Sequence, residues 1–450
     1  MLSHWLKVAR TERFMVETFS VLIIGGGGRE HALGWGFARD PRIEKIWFAP
    51  GNAGSSEIGT NLPFGVADLV GITDWAKKEK PGLVVVGPEV PLCAGLADRL
   101  REVGLRVFGP GADGAQLEGS KSFCKELLVA QKIATARAGS FTDQEVAIRF
   151  SESLSPRQVV KADGLAGGKG VVMAGSHAEA GQAIREMMEG RVFGEAGARV
   201  LIEEFLEGEE LSIHAVTDGK RLVILPSAQD HKRVGDGDRG LNTGGMGAYA
   251  PAPRATPDLL REVEEKVLRP TLEGLRARGI EYRGVLYAGL MLTSEGPKVL
   301  EFNCRFGDPE TEVLVPLLET PLWDLLGAAA DGDLSNLSMQ IRKGAALTVV
   351  VAAPGYPAQP TLGQKIQMGK GGVGSVVFHA GTKKKGSEVV VSGGRVLAAT
   401  GWGDDLRTAR ERAYEAVQGV SFAGMYFRGD IGHRALGKVV YDAPSVGVAE

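Results

Sequence analysis

The sequence predicts an α/β and α+β multidomain protein that opens on a parallel-sheet domain. Three observations carry this. Up to about residue 120, short all-apolar strands alternate with helical stretches, the pattern of a doubly wound parallel sheet. Those strands end in glycine-rich turns, at 25–28, 50–54, 87–89 and 109–110, where such sheets place their ligand loops. From residue 158 onward strands come in adjoining pairs, the mark of antiparallel hairpins.

At 450 residues the chain exceeds one hydrophobic core, so several domains are expected. The formal net charge of -3 offers no basic field for nucleic acid or an anionic membrane, and neither is expected as a partner. Three dispersed cysteines, Cys93, Cys124 and Cys304, make neither a disulfide framework nor a zinc site and suit a reducing, cytoplasmic setting. No run is long enough to span a bilayer. Residues 1–18 read as an N-terminal extension without the features of a secretory signal, and Met15 is an alternative start.

In order, Ser20 to Ile24 is a strand, Gly25 to Gly28 a turn, and Arg29 to Leu33 opens a helix. Strand, glycine turn and helix N-terminus make an anion site. Glu30 occupies the third glycine position of a dinucleotide fingerprint, and no ribose-binding acid follows, so a phosphate site fits better. Strands at Ile43–Ala49, Leu83–Val86 and Arg106–Phe108 complete this domain.

Gln158 to Met173 reads as two strands joined by a glycine-rich flap, with Lys161 closing the first strand and Lys169 in the flap. Gly170 follows Lys169 where a P-loop needs Ser or Thr, so a hairpin laid over nucleotide phosphates is the better reading. Arg199 to Glu210 is a strand turning acidic at its end, open to both a nucleotide edge and a solvated terminus. Leu211–Val216 and Arg221–Leu225 pair around Asp218-Gly219, with His214 in the core. Residues 227–249 form a long loop rich in charge and then glycine, a length that suggests function. Leu259, Leu260, Val263, Val267 and Leu268 mark a core helix. Beyond Glu319 the stretch is bland: strands at 347–353, 374–379 and 395–399, a helix at 406–417, and Arg428, Asp430 and Arg434, which read as pairing locally ahead of packing this domain on the site.

The most informative stretch is the strand Pro297–Phe306, partner of Gly284–Thr293. Alternation places Leu300, Phe302, Cys304 and Phe306 on an apolar face and Glu301, Asn303 and Arg305 on a polar one. Glu and Asn offer hard oxygen ligands for a divalent ion, and Arg can clamp a carboxylate or phosphate. The stretch by itself is equally open to a solvated edge. Asp308 is read as a helix cap and Pro309 as a first-turn residue.

Eight motifs, in order, carry a resemblance: Gly-Gly-Arg-Glu-His-Ala-Leu at 27–33, Pro-Gly-Asn-Ala-Gly at 50–54, Val-Gly-Pro-Glu at 86–89, Leu-Glu-Gly-Ser-Lys at 117–121, Lys-Ala-Asp-Gly-Leu-Ala at 161–166, Gln-Asp-His-Lys-Arg-Val-Gly-Asp at 229–236, Asn-Thr-Gly-Gly-Met-Gly-Ala-Tyr at 242–249 and Glu-Phe-Asn-Cys-Arg-Phe-Gly-Asp-Pro-Glu-Thr at 301–311. Together they resemble the glycinamide ribonucleotide synthetase (phosphoribosylamine–glycine ligase) family of the ATP-grasp superfamily, from about Ser20 to near the C-terminus. Gly26, Gly167 and Leu241 depart from that family's usual residues without removing a charge.

The resemblance implies a pre-ATP-grasp phosphate-binding domain at 19–120, an ATP-grasp domain at 121–330 with a flap subdomain at about 125–195, and a C-terminal α+β domain at 331–450. It implies ligation of glycine to 5-phosphoribosylamine through a glycyl phosphate, with ATP as co-substrate and Mg²⁺ or Mn²⁺, by a monomer or weak homodimer. Carried over by motif, Glu301 and Asn303 would bind the metal. Lys121, Lys161 and Lys169 would serve the ATP phosphates, and Glu203, Phe205 and Glu209 the adenine and ribose. Gly27, Gly28, Asn52, Gly54 and Glu89 would hold phosphoribosylamine, and Asp230, Arg305 and Asp308 would line the catalytic acceptor or glycine site. The competing readings are an ATP-grasp ligase of another acid or amine, a nicotinamide oxidoreductase built on the first domain, and a non-catalytic ATP sensor.

Overall fold

The computed structural model describes residues 18–165, 170–189, 197–369 and 371–437. The N-terminal sheet is five-stranded and wholly parallel, with Phe19–Gly25 at its centre between Ile43–Pro50 and Leu83–Val86. Residues 21–24 and 83–86 are all buried, as strands covered on both faces must be. The Gly25–Gly28 turn follows the central strand at its C-terminal end, and the helix Gly28–Ala38 starts there.

The region expected to form the flap contains an antiparallel sheet in which Gln158–Ala162 lies between Val171–Ala174 and Val200–Glu204. Lys169 lies outside the described residues, as do residues 1–17. A second antiparallel sheet places Gly284–Thr293 between Glu209–Thr217 and Gly296–Asn303. The C-terminal sheet runs Gln229–Asp230, Gly247–Ala250, Ala345–Ala352, Arg395–Gly403 and Ser375–His379, with the helix Leu406–Gln418 packed on it. No helix among the described residues is long and apolar enough to cross a membrane.

Several expectations are corrected. The stretch 227–249 is not irregular: it holds the strands Gln229–Asp230, Arg233–Gly235, Arg239–Asn242 and Gly247–Ala250. The first and last of these join the C-terminal sheet, a pairing that local charge and glycine content cannot reveal. The acidic strand end is also split. Val200–Glu204 stops, and Glu209 and Glu210 begin the next strand after Gly208. Gly208 has φ +157, and a side chain there would meet the Leu292 carbonyl.

The strand read as Pro297–Phe306 ends at Asn303, so Arg305 follows the strand rather than continuing its polar row. A register shift at Gly289/Leu290 leaves Leu300 unpaired, and Val299 takes the core position while Leu300 turns to the cavity described below. Asp308 does not cap a helix. Residues 308–310 form a turn, the helix begins at Thr311 after Glu310, and the Asp308 carboxylate is taken by Arg395 at 3.1 Å.

Arg428, Asp430 and Arg434 do pair locally, and they also grip the 233–242 hairpin. Arg428 is fully buried and donates to Asp430 at 2.7 and 2.8 Å and to Asp238 at 3.0 Å. Arg434 donates to Asp238 at 2.9 Å and to the Asp230 carbonyl at 2.9 Å. Arg428→Met takes the guanidinium partner from the buried Asp430 carboxylate, so it is expected to lower unfolding stability by about 3–5 kcal/mol, read from a urea melt.

Candidate active site

A cavity of about 470 Å³ lies where the three regions meet. Its walls come from the turn after Leu83–Val86, the helix pair around Ser120, the flap sheet, the 229–244 segment, residues 300–310 and Arg395 from the C-terminal sheet.

At one end a row of ammonium groups faces carboxylates. Glu203 is 3 % exposed and sits between Lys161 at 2.5 Å and Lys125 at 2.6 Å. Burial opposes its charge, but Lys161 and Lys125 outweigh that and hold the carboxyl below its ordinary value. Burial likewise works against the Lys161 ammonium, and Glu203 and Glu301 overcome it, holding the lysine above its usual value. Lys121 is lowered, chiefly by burial, and donates to the Gly164 carbonyl at 2.9 Å at the entry to the flap. Glu301 is exposed into the cavity, and its charge acts on Lys121, Lys161 and Lys232. Cys124, Leu128, Val171, Leu201 and Leu300 supply an apolar wall beside this row.

The other end is organised by two arginines, Arg305 and Arg29. Arg305 donates to Glu118 at 2.8 Å and lies 3.4 Å from Glu89. Burial opposes the Glu89 carboxylate, yet Arg305 and Arg29 keep it below its ordinary value. Arg29 contacts Glu30 at 2.5 Å and the Phe306 carbonyl at 3.1 Å. Glu30 in turn accepts the Gly27 N–H at 2.7 Å, closing the glycine turn. That closure requires glycine at position 25, where φ is +125 and a Cβ would overlap the Glu30 side chain. Gly27 leaves bare backbone facing Asp308, whose Oδ2 lies 3.2 Å from where a Cβ would be.

Between the two ends stand Asp230 and Lys232. Lys232 pairs with Glu210 at 2.8 Å. Burial pushes the Asp230 carboxyl up to about 7, against the pull of Lys232 and with help from Glu310 and Glu210.

Of the residues expected from the sequence, Lys121, Lys161, Glu203, Asp230, Glu301, Asn303, Arg305, Asp308 and Glu89 line this one cavity. Others are placed elsewhere. Phe205 lies beneath the Arg157 guanidinium, and Glu209 pairs with Arg254 at 3.1 Å and accepts from Gln229 at 3.0 Å. Asn52 donates to the carbonyls of Gly26, Gly27 and His379, and accepts from the Gly54 and Ser55 N–H groups. Gly28 sits against the buried Glu312 carboxyl, and Gly54 against His31 and His379.

The structure adds Arg29, Glu118, Lys125, Lys232, Glu310 and Arg395 to the walls. Arg29, Glu118, Lys232 and Glu310 sit inside the motifs quoted above, so their positions were marked although their roles were not. Arg395 carries no local signal. It donates to the carbonyls of Gly244 at 2.6 Å and Asp308 at 2.8 Å, drawing the C-terminal sheet onto the site.

The donor set fits a divalent ion. Glu301 and Asn303, two apart at the end of one strand, present hard oxygens to the cavity. No group of three or more His, Cys, Asp or Glu side chains is arranged to hold a metal among the described residues.

Three family models match consecutive parts of the chain: phosphoribosylglycinamide synthetase N domain over residues 19–118, its ATP-grasp (A) domain over 119–311, and its C domain over 346–434. A phosphoribosylamine–glycine ligase of Vibrio vulnificus is 48% identical over 425 residues, covering 93% of this chain and 99% of the relative. The trifunctional purine biosynthetic protein adenosine-3 of Gallus gallus is 50% identical over 423 residues; the match covers 92% of this chain but only 42% of that longer protein. The crystal structure of a phosphoribosylamine–glycine ligase from Thermotoga maritima superposes with a TM-score of 0.80 at 38% identity, over 91% of this chain and 99% of that one.

Proposed function

The chain belongs to the phosphoribosylglycinamide synthetase family, and from that premise we propose how its cavity performs the family's reaction. It is an ATP-dependent ligase that joins glycine to 5-phosphoribosylamine and forms glycinamide ribonucleotide in purine biosynthesis. The observation that carries the residue assignments is the single cavity walled by all three matched regions, with ammonium groups at one end and an arginine–carboxylate lattice at the other.

In this reading ATP lies with its base against Leu128, Val171, Leu201 and Leu300 and its phosphates along Lys121, Lys161 and Lys125. Glu203 supports this indirectly, since its charge keeps Lys161 protonated inside a buried wall. Glu301 and Asn303 would hold Mg²⁺ or Mn²⁺, which would neutralise phosphate charge during transfer. Glycine's carboxylate attacks the γ-phosphorus, ADP leaves, and glycyl phosphate remains. The amine of phosphoribosylamine then attacks the glycyl carbonyl, phosphate leaves, and the amine proton passes to Asp230. Glu89, kept ionised by Arg305 and Arg29, offers an acceptor to ribose hydroxyls, and the Gly27–Gly28 turn at the helix N-terminus suits the 5-phosphate. Lys232 stabilises charge on the acyl phosphate oxygens. The protein needs no covalent nucleophile; alignment and charge neutralisation suffice.

A coupled ADP assay tests this. ADP release should require glycine and phosphoribosylamine together. Release with neither, or equal efficiency with another amino acid, overturns the assignment.

A further inference from the structure

We propose that His31 and His379 are positioning residues for the phosphoribosylamine site, an inference that rests on the reading that the turns at 25–28 and 51–54 hold that substrate. Neither imidazole lines the cavity, and the mechanism above uses neither.

His31 lies in the first turn of the helix Gly28–Ala38 and is buried. Its Nδ1 accepts the backbone N–H of His379 at 2.8 Å. The same residue's carbonyl accepts from Asn52 Nδ2 at 2.7 Å. That amide also reaches the carbonyls of Gly26 at 3.0 Å and Gly27 at 3.3 Å. One residue at the end of a C-terminal strand therefore holds both the helix that follows the 25–28 turn, through its N–H, and Asn52 in the 51–54 turn, through its carbonyl. A further strap runs alongside, from the Ala53 N–H to the Thr382 carbonyl at 3.3 Å, and His379 Nδ1 meets Thr382 Oγ1 at 3.1 Å.

The packing leaves no slack. A Cβ on Gly54 would approach within 2.3 Å of His31 Cε1 and 2.7 Å of His379 Cδ2. Burial lowers His31 to about 3 and His379 to about 4, so both rings are neutral near pH 7 and His31 keeps its accepting lone pair. Because Nδ1 accepts, the His31 ring proton sits on Nε2. Asn52 is thereby reassigned. Its side-chain amide is spent on protein groups, so it shapes the turns from behind.

Steady-state kinetics on the full chain tests this, with folding followed by circular dichroism. His31→Leu removes the acceptor and should raise KM for phosphoribosylamine about tenfold, the effect of one lost hydrogen bond. KM for ATP and glycine should stay within about twofold, and kcat should fall less than KM rises. His31→Asn, whose Oδ1 can replace Nδ1, should recover most of the loss. A uniform change in all three KM values, or a lower melting temperature with every KM unchanged, overturns the proposal. Thr382→Val removes only the partner of His379 Nδ1 and gives the same selective rise, on the order of threefold, if His31→Leu does not fold. Gly27→Val obstructs the turn directly. A rise in KM for phosphoribosylamine with Gly27→Val but not with His31→Leu overturns this inference alone. No rise with Gly27→Val overturns the site reading beneath it.

Discussion

Asp230→Asn should lower kcat by about 10²–10⁴-fold, the range for losing a positioned proton acceptor. In the proposed mechanism this cavity-lining residue is the proton acceptor. Burial pushes its carboxyl up to about 7, so near neutral pH it can both take and release a proton. Below that value the carboxyl is protonated and cannot receive the amine's proton. The wild-type kcat/KM should therefore rise with pH through about 7, and the variant should lose that limb. Stability moves the other way. A carboxyl raised in the folded state binds its proton more tightly there, so its contribution to stability is lost as pH rises from the ordinary carboxylate range toward 7. The asparagine variant should then be at least as stable as wild type at pH 7.5. A variant that is inactive because it is unfolded would show the opposite, and a pH profile with its acid limb intact would remove Asp230 from the proton-transfer role.

Glu301→Ala should cut turnover by at least about 100-fold, as removal of a charged ligand at a phosphoryl-transfer site does. Glu301 is exposed to the cavity rather than packed in the core, so the melting free energy should change by about 0.5 kcal/mol or less. Calorimetry gives a second readout. Wild type should bind ADP more tightly with Mg²⁺ than without it, and the variant should lose most of that difference. An unchanged metal dependence would sink the assignment of Glu301 as a ligand. Loss of its charge should also weaken the hold on Lys121, Lys161 and Lys232, each of which it helps keep protonated.

Much of the site was legible because its residues stand in turns and strand ends that local chemistry marks. A carboxylate and an amide two residues apart at the end of an apolar strand, a lysine closing the first flap strand, and a glycine turn opening a helix each announce themselves. Other features failed for identifiable reasons. The bulge at Leu300 changes which side chains share a face, and no alternation rule contains it. Asp308 looked like a helix cap because Asp-Pro commonly starts helices, yet Arg395, 87 residues away, claims it. Residues 227–249 looked like loop because their strands are only two to four residues long and pair mostly with one another, and Gly247–Ala250 meets its outer partner only at Ala345–Ala352.

The sequence by itself determined the fold class, the family and the chemical inventory, since apolar periodicity, glycine turns and ordered motifs are local properties of the chain. Only the tertiary structure decided which charges meet. Glu203 was placed with the adenine and ribose by motif, and the fold sets it between Lys161 and Lys125. Asn52 was placed against the substrate, and the fold gives its amide to the backbone of His379. Arg395 gave no sign of involvement and closes the cavity from the C-terminal sheet. The physical reason is common to all three. The partner of a buried polar group is set by whichever element is packed against it, and the free-energy cost of leaving such a group unpaired makes that partner, wherever it lies in the chain, part of the site.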